Sequence, residues 1–105
     1  MSAASPDVCL CLVARPDLEE TIIDLLLEHE AIVPRFSSSP IDTHGRAIAL
    51  ASLAERVRGR ARRVEFQMLL GHDDVATLLA AFAARLPNAG LSWWQVPILA
   101  YGRIE

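Results

Sequence analysis

With 105 residues, 52% of them apolar and 22% charged, the chain has the size and composition of one small globular domain with little spare core. Its formal net charge of -3 argues against a general nucleic-acid binder, and no apolar stretch approaches the roughly 20 residues that span a bilayer. Residues 1–7 read as a short polar leader without a basic region, so a soluble, cytoplasmic protein is expected.

Val8 to Ala14 is a continuous apolar run of strand length, expected to be covered on both faces. Arg15, Pro16 and Asp17 turn the chain. Asp17 and Glu20 then resemble a capping box at the start of a helix that presents Leu18, Ile22, Leu25, Leu26 and His29 and ends near Glu30. Ile32 to Asp42 alternates roughly but contains Pro34 and Pro40, which marks an edge strand. Thr43 to Arg62 is too long for a hairpin turn and reads as a functional excursion, its first part a short helix or loose arm. Arg63 to Leu70 alternates cleanly without proline, with Val64, Phe66, Met68 and Leu70 on one face. A second helix starts near Asp73 and Asp74, carries the stripe Val75, Leu78, Leu79, Phe82 and Leu86, and is stopped by Pro87 to Gly90. Leu91 to Tyr101 is the last strand, with Pro97 again marking an edge.

The order strand, helix, strand, strand, helix, strand is that of the ferredoxin-like α+β fold, βαββαβ. Right-handed crossovers place the first and third strands in the middle and the second and fourth outside. The prolines sort the strands in the same way, which disfavours a two-layer sandwich of different strand order. Both helices then cover one sheet face. The other face, together with Trp93, Trp94, Phe36 and Tyr101 on the edge strands, predicts a homo-oligomer.

Arg56, Arg58, Arg60 and Arg62 would share one side of an extended segment, and their guanidinium forks suit a phosphate or carboxylate ligand. The plain alternative is a solvated face, or pairing with Glu55 and Glu65. Nucleic acid is not an expected partner, since the aromatics sit on edge strands rather than on the central pair. Cys9 and Cys11 lie on one face of the first strand. As a CxC pair they are candidate ligands for a soft metal such as copper(I), or else small apolar residues of a buried strand. His29, His44 and His72 lack zinc spacing, with His44 the one carried forward as a candidate ligand, and Ser37 to Ser39 lack a nucleophile elbow. No enzyme is predicted, and no cofactor can be named from the residues.

The helix opening Leu18 to Glu20, the segment Ser52 to Val64 and the ending Trp94 to Ile104 resemble the PII-like small regulatory proteins. That group is related to the PII signalling proteins and to CutA, and the likeness is closest to an uncharacterised branch often encoded beside heavy-metal efflux systems. The resemblance spans nearly the whole chain as a single PII-like domain. It implies a homotrimer with clefts between subunits, the 43–62 excursion in the place of the PII signalling loop, and a small-molecule effector or a membrane transporter as partner. It also implies that Arg103 could join Arg58 or Arg60 of a neighbour. The connection at Pro87 to Leu91 is short, has only Gly90 and carries no lysine, a departure from the phosphate-holding loop of PII proteins. The competing expectation is a CutA-like tolerance protein binding divalent or soft metal ions.

Overall fold

In the computed structural model, which describes residues 5–45 and 60–105, the chain builds one four-stranded antiparallel sheet with two helices on one face. The strands are β1 (Val8–Ala14), β2 (Phe36–His44), β3 (Arg60–Leu70) and β4 (Ser92–Pro97), in the order β2-β3-β1-β4. The proline-free strands are therefore the central pair. Pro40 lies within β2 opposite Val64 and Pro97 closes β4 opposite Val8, both on strands with a single neighbour, where a missing N–H breaks no second ladder.

Side chains opposite one another in an antiparallel pair share a face, so register divides the sheet cleanly. Val8, Leu10, Leu12 and Ala14 of β1 match Leu70, Met68, Phe66 and Val64 of β3, and all eight are buried beneath the helices. Helix α1 (Glu19–Glu28) adds Ile22, Leu25 and Leu26, and α2 (Val75–Arg85) adds Val75, Leu78 and Phe82. These positions recur at helical spacing, and each fully buried side chain stabilises the fold by about 1.5–3 kcal/mol. The second face of β1 is less covered than its apolar run predicts. Cys9 and Val13 are half-buried there, because among the described residues no helix packs on that side.

The capping box expected at Asp17 does not form. A 3-10 turn at Pro16–Leu18 precedes α1, no side chain caps either segment, and Asp17 instead meets Arg15, Nε to Oδ1, at 3.2 Å. Proline at the first position of the turn already favours the tight conformation. Helix α2 also starts from a 3-10 turn, His72–Asp74. It stops at Pro87 to Gly90, where Asn88 (φ 58) and Gly90 (φ 69) take left-handed backbone and return the chain to β4.

The strand ends depart from the expected ones. β2 begins at Phe36 rather than Ile32, since the chain is still turning through Pro34, and β4 stops at Pro97, leaving residues 98–105 outside the sheet. The expected excursion is shorter. β2 runs on to His44 and β3 starts at Arg60, with His44 opposite Arg60, so Thr43, His44 and residues 60–62 belong to the sheet. Main-chain pairing with a neighbour extends a strand through polar sequence. The helix or arm expected over 44–57 lies, beyond Gly45, outside the described residues.

Candidate functional site

Past Val64, β3 has no β1 residue beside it, and β2 and β3 continue as a two-stranded ribbon from Ile41 opposite Arg63 to His44 opposite Arg60. The ribbon holds two of the predicted arginines. Arg60 and Arg62 lie two apart on β3 and so share a face, the one on which Asp42 stands opposite Arg62. Arg60 Nη1 is 3.6 Å from Asp42 Oδ2, both side chains about two-fifths exposed. Thr43 Oγ1 donates to the Ala61 carbonyl at 3.2 Å, which ties the ribbon strands together, and Arg63 Nη1 donates to the Arg62 carbonyl at 2.6 Å. An open cleft of about 440 Å³ runs along its base, lined by Pro16, Glu19, Pro40, Asp42, Arg62 and Val64 among others. A ligand there meets guanidinium groups and two carboxylates together, which favours a small, orientable group over a bare polyanion.

Arg56 and Arg58 lie outside the described residues. Arg103 stands in the exposed C-terminal segment with its Nε 3.7 Å from Glu105 Oε1. That segment leaves the sheet at Pro97, opposite Val8, which in turn faces Leu70. The arginine ribbon is at the other end of β3, ten residues away, or about 33 Å of strand. The sheet register therefore does not bring Arg60 and Arg103 together within one chain.

Cys9 and Cys11 fall on the uncovered sheet face, Sγ to Sγ 3.9 Å, both free thiols. Burial, with the neighbouring Cys9 adding to it, pushes the Cys11 thiol up to about 11. His44 is far from both, since Cys11 faces Gln67 while His44 faces Arg60 at the far end of the same strand. Among the described residues no three His, Cys, Asp or Glu side chains gather as a metal would require for three protein ligands.

Two features are not predicted from sequence. A second cleft of about 480 Å³ opens between the end of α2 and β4, lined by Leu12, Phe82, Leu86, Pro87 and Trp93 among others. Register places Trp93 opposite Leu12 on the helix face and Trp94 opposite Cys11 on the uncovered face, so the tandem tryptophans serve different surfaces. Phe36, grouped with them as surface on the edge strands, packs against the core instead. The other feature is a clasp: the Asp7 carboxylate accepts from the His72 backbone N–H at 2.7 Å and pairs with its Nδ1, while His72 Nε2 is 3.1 Å from Asp73. Mutual hydrogen bonding holds Asp7 below its ordinary range and His72 above.

Three comparisons bear on this arrangement. No curated protein matches the chain. Among solved structures, a DUF3240 family protein from Shewanella baltica OS155 has a TM-score of 0.78 at 24% identity, covering 97% of this chain and 100% of its own. CPII, a nitrogen regulatory PII-like protein from Thiomonas intermedia K12 bound to ADP, AMP and bicarbonate, has a TM-score of 0.67 at 16% identity over 94% of this chain and 97% of its own. A putative PII-like signaling protein from Thermus thermophilus has a TM-score of 0.62 at 10% identity over 92% of this chain and 91% of its own. At these identities the likeness is one of fold, and the fold is the PII-like α+β arrangement. The profile of the family described as "Protein of unknown function (DUF3240)" matches residues 4–105, and the chain belongs to that family.

Proposed function

We propose that the chain is a non-enzymatic, cytoplasmic regulator of PII-like type, a single domain acting as a homotrimer and linked to heavy-metal response or efflux. It binds a small anionic effector, or touches a membrane transporter, through residues 43–62 and the ribbon that presents them. The observation that carries this reading is the β2–β3 ribbon, which extends past β1 on a PII-like sheet and carries Arg62 near its base and Arg60 at its far end. Nucleotide-bound CPII supports a phosphate-bearing effector by likeness of fold. The short Pro87 to Leu91 connection without lysine argues for arginines, not a glycine-lysine loop, as the phosphate holders.

Calorimetry of the full chain with ADP, with AMP and with bicarbonate tests the effector. The expected result is heat with a nucleotide, lost in Arg60→Ala and in Arg103→Ala because the two sides of the site come from different copies. No heat with any of the three, or heat unchanged in both variants, removes the arginine site. The second reading is a CutA-like metal-tolerance protein, favoured by the proximity of the Cys9 and Cys11 sulfurs. Retention of a metal by the purified chain, unaffected by effector, would select it.

A further inference from the structure

The uncovered sheet face carries two groups that the effector reading does not use. Cys9 and Cys11 are both free, project from the same face of β1 and hold their sulfurs 3.9 Å apart. Register supplies their surroundings. Cys9 lies between Leu69 of β3 and Val96 of β4, and Cys11 between Gln67 and Trp94, so the four residues beside the two soft donors are uncharged. Glu65, opposite Val13 on the same face and hydrogen-bonded by Gln67 Nε2, is the nearby carboxylate whose charge, like burial, opposes loss of the Cys11 proton. Within one chain Cys11 is 6% exposed, whereas Cys9 is half-buried and the more accessible of the two.

The geometry points to a two-coordinate bis-thiolate site, Cys9 and Cys11, for a soft monovalent ion of filled d shell such as copper(I) or silver(I). Thiolates select such ions over hard cations. At a metal–sulfur bond of about 2.3 Å, linear coordination separates the sulfurs by roughly 4.6 Å. The pair reaches that spacing from its present one by a modest change of side-chain torsion, with no movement of the strand. Zinc is disfavoured because it takes four ligands, and among the described residues no third His, Cys, Asp or Glu joins the pair. Binding displaces one proton from each thiol, so the complex carries a single negative charge from two thiolates and one cation, and uptake weakens as pH falls.

This inference rests on the metal reading above and narrows it from divalent or soft metal ions to soft monovalent ones; it is independent of the effector reading. Reduced, full-length protein is titrated without oxygen with silver(I), and with copper(I) delivered from a competing chelator. Native mass spectrometry and tryptophan emission follow the titration, Trp94 standing opposite Cys11. The expected outcome is one ion per chain, with retention lost in Cys9→Ala and in Cys11→Ser and with zinc(II) washed away. Cys9→Ala is the cleaner variant because Cys9 is half-buried, and circular dichroism checks that each variant folds. Copper(I) or silver(I) retained equally by the Cys9→Ala/Cys11→Ser double variant overturns the site, as does one ion shared between several chains. Zinc(II) retained with no retention of copper(I) or silver(I) would overturn it while leaving the broader metal reading standing, and failure to retain any metal would remove both.

Discussion

At the scale of single residues, Asp7 does the most for its size. Its N–H donates to the Leu70 carbonyl at 3.2 Å, its carbonyl accepts from the Ile98 N–H at 2.9 Å, and its carboxylate holds His72. Asp7 thus joins the start of β1 to the ends of β3 and β4 and to the turn that opens α2. A carboxylate at the first N–H of a helical segment also faces the positive end of its dipole. The clasp titrates at both ends. His72, raised by Asp7 from an ordinary 6.5, contributes stability that is complete below that value and lost as pH rises through the raised one. Asp7, lowered by His72 from 3.8, contributes stability present above 3.8 and lost as pH falls through the depressed value. The clasp is therefore strongest in mild acid, between those limits. Thermal melts of wild type and Asp7→Asn should differ more at about pH 5.5 than at about pH 8.5, and an equal difference at both would show that the ion pair is not what the substitution removes. None of this was legible in the sequence, where His72 has Asp73 and Asp74 beside it and Asp7 sixty-five residues away. Local spacing cannot show a contact that only the closed sheet creates.

At the scale of elements, periodicity was a sound guide to what is buried and a poor one to where strands end. Phe66 and Leu78 were placed on apolar stripes, and both are fully buried. Phe66→Ala should cost about 3–5 kcal/mol in denaturant melts, a cavity cost that an exposed aromatic such as Trp94 would not incur in the isolated fold. A loss below about 1 kcal/mol would mean that the core collapses around the gap. Strand ends failed where the determining partner is distant. The ribbon segment Arg60–Arg63 has no apolar alternation facing the core, and it is a strand because β2 supplies its ladder. The reverse holds at the end of α2, where chemistry is local and the stop was readable. Gly90 has φ 69 with open space where a Cβ would stand, so Gly90→Ala is strained through backbone alone. The expected loss is about 1–2 kcal/mol, measured by the same melts, and a neutral result would show that the turn relaxes.

At the scale of the whole molecule, strand order was readable because proline constrains a strand's neighbours as well as its own conformation. Function was less so, since the fold hosts unrelated activities and Arg56 and Arg58 lie outside the described residues. The uncovered face and the β4 edge bear on assembly. All six residues of β4 are exposed, Trp94 and Val96 are 45% exposed on the uncovered face, and among the described residues no strand pairs with the outer side of β4. An exposed edge beside apolar surface is a template for uncontrolled pairing unless another chain closes it. The proposed trimer closes it with identical copies, and such rings are built from head-to-tail contacts whose rotation returns to the start. Val96→Glu puts a charge on that surface without touching the helix-side core, because Val96 faces Cys9 and not Leu10. Native mass spectrometry should find trimers for wild type and monomers for Val96→Glu, with circular dichroism unchanged between them. A wild-type monomer at working concentration would remove the assembly, and with it the inter-copy site for Arg60 and Arg103. A trimer that survives Val96→Glu would move the contact off the β4 side of the sheet.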